Sequence, residues 1–295
     1  MKRLLITGAS GFLGREMMRL YRADYVVVGV GHAHAGDLPV CDLREETEVA
    51  SLLKDVRPDV VIHTAAYRDP DFCEGHPDEA RRLNTEAVGH LVRHLAPEAR
   101  LVQISTDYVF DGKTPPYRET DAPGPLNVYG RTKLDGEGLA LTRANALVLR
   151  IPLLIGAGPS PRTSGFLTQI LDAVLSGEAQ SVDAVGVRFP TWIRDVAEAS
   201  RKLLSEQVTG VVHLSSQEGQ TRYQLMKTAG DVLGLPTDHL SPSMMPAPRV
   251  ARRPEDSHLA IDRWRSLGGA VPFRFAATLA AVMSEWGGLE AYRHA

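Results

Sequence analysis

Residues 7–14 read Thr-Gly-Ala-Ser-Gly-Phe-Leu-Gly, directly after the apolar run Leu4–Ile6 and directly before a stretch with helical spacing. A glycine-rich turn between a first strand and a first helix predicts a dinucleotide-binding turn. In such a turn Gly8 permits the tight bend, Gly11 lets the backbone approach a pyrophosphate, and Gly14 lets the helix pack against the strand. The phosphates are then expected at free backbone N–H groups where the helix begins.

Outward from this turn, strand and helix patterns alternate through the first half of the chain. Such alternation predicts right-handed crossovers and an α/β fold: a doubly wound parallel (Rossmann) sheet with helices on both faces. The predicted strands are Leu4–Ile6, Tyr25–Val30, Val60–Ile62, Leu101–Ile104 and Leu147–Leu149, and the predicted helices are Arg15–Tyr21, Glu45–Leu53, Glu79–Leu95 and Tyr129–Leu141. Ligands of such sheets bind beyond the carboxyl ends of the strands.

The alternation becomes irregular after Pro152, and this change predicts a second, smaller lobe that binds substrate. We expect a dinucleotide-binding domain over 1–155 and a C-terminal lobe over 156–295, with segments around 190–215 and 275–287 returning to the first domain. The second half is predicted to hold helices at Phe166–Leu175, Asp195–Leu204, Thr221–Leu233 and Phe275–Trp286, a strand at Val211–Leu214, and an ordered loop over Pro236–Pro254. Thr221 and Gly234 are suitable caps for the helix between them.

Composition excludes several classes of protein. The 295 residues are 43% apolar and 23% charged, and the formal net charge of −3 argues against a nucleic-acid partner, which needs a basic face. No apolar run of 18 residues is present, so no membrane span is predicted. The apolar run after Met1 is too short for a signal peptide, and two cysteines suit a reducing compartment, so we expect a cytoplasmic location. The ten histidines form no metal-binding pattern, and no metal is expected.

The choice of cofactor is predicted from an absent carboxylate. A dinucleotide without a 2′-phosphate usually meets Asp or Glu at the end of the second strand. Here that end reads Gly-Val-Gly-His-Ala-His over residues 29–34. Arg15 lies just after the glycine turn, and His32 and His34 add possible hydrogen-bond donors. The pattern favours NADP(H) over NAD(H), and Asp42 with Leu43 is expected to border the adenine.

Two further motifs carry the candidate chemistry. Tyr129 and Lys133 have i, i+4 spacing at the head of a predicted helix and therefore share one helical face. A neighbouring ammonium is expected to lower the pKa of the phenol and to hydrogen-bond a ribose. The stretch Ile104–Gly112 begins at the end of the fourth strand, where the Thr106 hydroxyl is placed to orient a substrate carbonyl toward Tyr129. A glycine turn, a strand-four hydroxyl and YxxxK in this order are unlikely to coincide by chance.

At these residues the chain resembles the extended short-chain dehydrogenases/reductases, and within them the dTDP-4-dehydrorhamnose reductase family. That family reduces the 4-keto group of a nucleotide-linked deoxysugar with NADPH. The resemblance extends over nearly the whole chain and is carried by STDYVFDG at 105–112, PPYRETD at 115–121, PLNVYGRTKLDGE at 125–137 and ARRPEDSHLAIDRWRSLG at 251–268.

By resemblance, three residues form the catalytic set: Thr106, Tyr129 and Lys133. The residues expected to contact NADP(H) are Gly8, Ser10, Gly11, Phe12, Leu13, Gly14, His32, Ala33, His34, Asp42, Leu43, Thr64, Ala65, Ala66, Arg68, Tyr129, Lys133 and Leu154. Asn84, Phe189 and Arg253 are weaker candidates near the substrate, and structural hydrogen bonding explains them equally well.

Two segments resemble a different branch of the family, the regulatory beta subunit of methionine adenosyltransferase. These are LRIPLL at 149–154 and RFPT at 188–191, both near the expected sugar pocket. The leading interpretation is therefore an NADP(H)-dependent reductase of a nucleotide-linked keto-sugar, and the alternative is a non-catalytic, cofactor-binding regulatory subunit. A homodimer and a complex with a partner enzyme both remain open. Dehydration ranks low because Tyr108 stands where dehydrating relatives tend to carry a glutamate.

Overall fold

The computed structural model describes residues 1–32, 36–245, 249–272 and 274–295. Its centre is a sheet of six parallel strands, with helices packed on both faces. The strands are β1 (Arg3–Thr7), β2 (Val26–Val30), β3 (Val60–His63), β4 (Arg100–Thr106), β5 (Leu147–Ile151) and β10 (Gly210–His213), and their order across the sheet is β10-β5-β4-β3-β1-β2. This is the doubly wound α/β class that the alternation predicts.

The strand order reverses direction at β1, whose neighbours are β2 on one side and β3 on the other. Chain connections therefore leave β1 and β3 toward opposite faces, and a crevice opens beyond their carboxyl ends. The parallel register aligns Thr7 with His63 and His63 with Gln103, so three polar side chains mark this edge of the sheet. The topology alone places a ligand site here.

Each face of the sheet is covered by its own apolar cluster. Leu5, Val61, Leu101 and Val148 pack under helices that follow β2, β3 and β4. The alternate residues of the same strands pack under the first helix of the chain and under helices from its second half. Because both faces are buried, the strands are almost wholly apolar, as expected for parallel sheets. The helices of this domain are α1 (Phe12–Tyr21), α2 (Glu46–Val56), α3 (Pro70–Gly75), α4 (Pro77–Arg81), α5 (Ala87–His94), α6 (Val128–Leu141) and α8 (Ile193–Ser205).

A third apolar cluster forms the second lobe. Its helices are α7 (Phe166–Ser176), α9 (Arg222–Leu233), α11 (Phe275–Glu285) and α12 (Leu289–Arg293), and α10 (Asp262–Ser266) lies against β10. Short strand pairs accompany them: β6 (Leu154–Ile155) with β9 (Thr191–Trp192), β7 (Gln180–Asp183) with β12 (Leu240–Ser243), and β8 (Val187–Arg188) with β11 (Gln220–Thr221).

The two halves of the chain interweave. The segment that holds β9, α8 and β10 leaves the second lobe, and β10 becomes the outer strand of the large sheet beside β5. Helix α11 lies between the lobes: Phe275, Leu279, Val282 and Met283 enter the third cluster, Ala281 touches the first, and Glu285 pairs with Arg194. The division at residues 155 and 156 stays a prediction.

Several elements differ from the sequence-based expectation. The helix predicted over Glu79–Leu95 is divided by a π-helical turn at Arg82–Glu86, whose one extra residue per turn leaves no trace in apolar spacing. The loop predicted over Pro236–Pro254 contains β12, an edge strand in which Pro242 needs no donor for the ladder. The predicted caps of α9 are confirmed, since the Thr221 hydroxyl accepts from Gln224 N and Gly234 adopts a left-handed conformation with φ of 64°.

Candidate active site

A cavity of about 790 Å³ lies beyond the carboxyl ends of β1, β3 and β4, and residues from both lobes line it. Its walls include the glycine turn, the ends of the strands, the first turns of α6 and the loop before α7. The volume is within the range of ligand pockets for small molecules and cofactors. The crevice predicted from topology is therefore a real cavity.

The glycine turn forms one end of this cavity. Gly8 has φ of +69°, which favours glycine, and a Cβ on Gly14 would lie 2.2 Å from the Gly8 carbonyl oxygen. Helix α1 begins after Gly11 with no side-chain cap and no acidic residue in its first turn. Unpaired N–H groups and the positive end of the helix dipole thus face a space that suits an anion. A side chain at these glycine positions would fill the space, whereas the glycines leave it open for the phosphates of a dinucleotide.

The neighbouring wall carries charged groups whose arrangement the sequence did not predict. Arg44 holds the Asp42 carboxylate with two arms, with Nε at 2.8 Å from Oδ1 and Nη2 at 2.7 Å from Oδ2. This pair lowers the pKa of Asp42 to about 2. His32 Nε2 lies 3.5 Å from the same carboxylate. The expected carboxylate near the adenine is therefore already neutralised, and Arg44 is an additional cation at the cavity.

The loop that follows β3 contributes Thr64, Ala65, Ala66 and Arg68 to the lining. The Thr64 hydroxyl donates to the Thr7 carbonyl oxygen at 2.7 Å, which ties the end of β3 to the glycine turn. A Cβ on Gly8 would lie 2.7 Å from Ala65 N, so this close approach of two loops requires glycine. Both loops are thereby held as one wall of the cavity.

Tyr129 and Lys133 project from the start of α6 toward the end of β4. The Asn127 side chain caps this helix by accepting from Gly130 N at 2.8 Å, which fixes where the first turn begins. The Lys133 Nζ atom donates to the Ile104 carbonyl oxygen at 2.7 Å. Burial lowers the pKa of Lys133 to about 8 and raises that of the Tyr129 phenol. At neutral pH the site therefore holds a protonated phenol beside an amine that is mostly charged.

Thr106 is the last residue of β4 and lies next to Tyr129 and Lys133. Its hydroxyl hydrogen was expected to bind a substrate carbonyl, but it is donated to Asp107. Thr106 Oγ1 donates to Asp107 Oδ1 at 3.1 Å and accepts from Tyr108 N at 3.2 Å. Its hydroxyl is also a hydrogen-bonding neighbour of the Tyr129 phenol, where it acts against the effect of burial on the phenol pKa. Asp107, which the sequence analysis gave no role, thus belongs to the same group of side chains.

Most predicted site residues share this one cavity. Those that line it are Gly8, Ser10, Gly11, Phe12, Leu13, Gly14, His32, Asp42, Leu43, Thr64, Ala65, Ala66, Arg68, Thr106, Tyr129, Lys133 and Leu154. Ala33 and His34 lie outside the described residues. Whether each lining residue contacts a ligand stays a prediction.

The three weaker substrate candidates do not line the cavity. Asn84 is fully buried within the π-helical turn and holds both backbone polar groups of Tyr67, accepting from N at 2.9 Å and donating to O at 3.0 Å. The Phe189 ring stacks on His258 with centroids 4.3 Å apart. Arg253 forms a two-armed pair with Asp71, with its Nη2 at 2.9 Å from Oδ2. Each of them holds the loops that surround the site.

The far end of the cavity contains polar residues that sequence reasoning missed. They are Arg188, Arg222, Arg249, Gln169 and Asp183, all from the second lobe. Arg188 belongs to the RFPT segment at 188–191. Its side chain is directed by β8, and a strand of two residues is too short to produce a periodic pattern in the sequence. Three arginines at this end of the cavity favour an anionic ligand.

Two features are absent from the described residues. No group of three or more metal-ligating side chains occurs among them. Within the same part of the chain, no helix is both long and apolar enough to cross a membrane.

Comparison with known proteins places this geometry in a family. The model of the family described as the RmlD substrate binding domain matches residues 1–287. The chain is 38% identical to methionine adenosyltransferase 2 subunit beta of Danio rerio over 288 residues, which cover 93% of this chain and 88% of that protein. It is 36% identical to a probable dTDP-4,6-dihydroxy-2-methyloxan-3-one 4-ketoreductase of Streptomyces antibioticus, over 90% of this chain and 89% of that protein.

Among solved structures, the fold is similar to that of dTDP-4-dehydrorhamnose reductase from Bacillus anthracis, determined in complex with NADP. The TM-score is 0.87 at 26% identity, and the match covers 96% of this chain and 99% of that chain. Sequence family and three-dimensional fold thus agree over almost the whole length. The chain belongs to the RmlD substrate-binding domain family.

Proposed function

We propose that this protein is an NADP(H)-dependent reductase of a nucleotide-linked 4-keto-deoxysugar. One observation carries the proposal: Thr106, Tyr129 and Lys133 meet in the same cavity as an uncapped, glycine-lined helix N-terminus. A reductase needs a hydride source and a proton donor next to each other, and this cavity has room for both. The B. anthracis reductase that shares the fold was solved with NADP, and the S. antibioticus relative is described as a ketoreductase.

The residues of this chain fit the cofactor in two ways. The first turn of α1 offers its N–H groups to the pyrophosphate, and the glycines leave space that any side chain would fill. Arg44 beside Asp42 offers a cation for a 2′-phosphate. When bound, the nicotinamide would supply the hydride that converts the sugar carbonyl into an alcohol. Everything else in the reaction is positioning and proton supply by the protein.

Tyr129 is the proposed proton donor. Its pKa is raised by burial, so the phenol is protonated at neutral pH and has a proton to give. Lys133, held at the end of β4 by the Ile104 carbonyl, places a positive charge where the phenolate forms and where a ribose hydroxyl is expected. The expected lowering of the Tyr129 pKa by Lys133 is not found, because burial has the largest effect on the phenol and raises its pKa.

The variant Tyr129→Phe tests this mechanism. It removes the phenol hydroxyl and keeps the ring, so we expect a Kd for NADPH near that of the wild type and a kcat at least about 100-fold lower. Oxidation of NADPH against a series of keto-sugar nucleotides, together with fluorescence titration of NADPH, measures both quantities. Equal turnover by the two proteins would reject Tyr129 as the proton donor.

The second candidate is a regulatory subunit that binds NADP(H) and a partner enzyme without turnover. The 38% identity to methionine adenosyltransferase 2 subunit beta favours it. Co-purification with a methionine adenosyltransferase, alongside the NADPH-oxidation assay, separates the two functions. A stable complex in the absence of turnover would support the regulatory role, whereas turnover without a complex would support the reductase.

A further inference from the structure

Asp107 is a buried carboxyl in the cavity wall that the proposed mechanism leaves unused. It is 5% exposed, and it directly follows Thr106 at the end of β4. Thr106 Oγ1 donates to Oδ1 at 3.1 Å, and Ser257 Oγ donates to Oδ2 at 2.5 Å. Both donors are themselves buried, and among the described residues the side chains bonded to this carboxyl are these two neutral hydroxyls.

The hydrogen bonds of Thr106 define a chain with a direction. A hydroxyl has one hydrogen and two lone pairs. Thr106 gives its hydrogen to Asp107 and accepts from Tyr108 N, and its remaining lone pair is free for the neighbouring Tyr129 phenol. Thr106 is bonded to Asp107 and neighbours the Tyr129 phenol, so the three side chains lie in one row that offers a path from the carboxyl to the phenol. The direction of each bond in the path depends on whether Asp107 carries a proton.

We propose that Asp107 is the proton reservoir of the site and restores the proton of Tyr129 through Thr106. The proposal rests on the proposed function, in which each reduction leaves Tyr129 as phenolate. The phenolate oxygen takes the hydrogen of Thr106 while Thr106 Oγ1 takes the hydrogen of Asp107, so two O–H bonds break and two form. Asp107 ends as carboxylate, and water entering the cavity that it lines protonates it again.

The electrostatics of the carboxyl suit this task. Burial raises the pKa of Asp107 to about 6, although Arg188 and the bond from Ser257 act in the opposite direction. The ionisable groups that face it are Arg188 from β8, Tyr129 from α6 and Tyr108 from its own turn, with Arg249 and Arg253 beyond Tyr108. Transfer from a carboxyl to a phenolate whose pKa is raised is downhill. An ionised Asp107 raises the phenol pKa further, so the protonated carboxyl is the active form.

A first experiment needs no turnover. In protein labelled with ¹³Cζ-tyrosine, the Tyr129 signal, identified by its loss in Tyr129→Phe, should shift as pH passes through about 6. The shift should disappear in Asp107→Asn and be at least halved in Thr106→Val, which cuts the path but keeps the carboxyl. Signals of the remote buried Tyr21 and Tyr292 report whether each variant is folded. A Tyr129 signal that is flat in the wild type, or that shifts fully in Thr106→Val, would overturn the relay.

A second experiment uses the reductase activity. The kcat of the wild type should fall by about tenfold for each pH unit once Asp107 is mostly ionised, and Asp107→Asn should be slow and independent of pH. Ser257→Ala removes a bond that lowers the Asp107 pKa, so it should move the fall in kcat to higher pH. A pH profile of Asp107→Asn that matches the wild type overturns the relay. If the wild type turns nothing over, the proposed function fails while the ¹³C experiment still decides the path.

Discussion

Lys133 Nζ donates to the backbone carbonyl oxygen of Ile104 at 2.7 Å, and this bond joins helix α6 to the end of strand β4 inside the cavity. Because the acceptor is backbone, it holds the ammonium in place whichever side chains surround it. The bond uses one of the three Nζ hydrogens and leaves two for a ligand. Lys133, the lysine of the proposed catalytic set, is therefore positioned before any ligand arrives.

The charge of Lys133 should make cofactor binding depend on pH. Burial lowers its pKa to about 8, so the ammonium is lost as pH rises through 8 rather than above 10. We expect the Kd for NADPH to increase by about tenfold between pH 7 and pH 9.5, since a charged hydrogen bond of roughly 1.5 kcal/mol is lost. Lys133→Met should bind weakly at every pH. A Kd that rises equally with pH in Lys133→Met would assign the effect to another group.

Two helical glycines give a matched test of the turn. A Cβ on Gly14 would lie 2.2 Å from the Gly8 carbonyl oxygen, whereas a Cβ on Gly138 would contact nothing within 4 Å. Gly14→Ala should therefore push α1 away from the turn and weaken NADPH binding at least about tenfold. Gly138→Ala should raise stability by about 0.5–1 kcal/mol and leave binding unchanged. Thermal unfolding and NADPH titration measure both effects, and equal behaviour of the two variants would contradict the close packing.

A buried ion pair lies behind the site. Arg150 Nη2 is 2.7 Å from Glu137 Oε2 with both side chains almost fully buried, and Ser105 also donates to this carboxylate. Removing one partner leaves a buried charge, so Arg150→Met should cost about 3–5 kcal/mol of unfolding free energy. The half-exposed Arg201, which pairs with Glu198, provides the control, and Arg201→Met should cost less than about 1 kcal/mol. Urea titration of both variants checks the contrast; similar losses would mean that burial of the pair is unimportant.

Arg44 should determine which dinucleotide is preferred. Arg44→Ala removes a cation from the cavity and exposes the Asp42 carboxylate that it neutralises. The loss of a charged hydrogen bond and the gain of repulsion should reduce the preference for NADPH over NADH by about tenfold or more. Exposed Arg22, remote from the cavity, gives the control Arg22→Ala. The measurement is the ratio of the Kd values for NADPH and NADH. An unchanged ratio would assign recognition of the 2′-phosphate to Arg15 or to the histidines instead of Arg44.

The sequence alone determined the class of the fold and one wall of the site. Strands buried on both faces, such as Val60–His63, are apolar over most of their length, and the glycine turn follows the first of them, so both are visible as local patterns. The i, i+4 spacing of Tyr129 and Lys133 is also local, because one turn of helix sets it.

Only the tertiary structure decided which side chains from distant parts of the sequence contact the residues of the site. Arg44 reaches Asp42, Ser257 reaches Asp107 across 150 residues, and Arg253 reaches Asp71 rather than the cavity. None of these partners has a periodic signature, since short strands and loops place them. The protonation of Asp107 and Lys133 likewise follows from how much water the assembled lobes exclude, which depends on packing between distant segments and on no single stretch of chain.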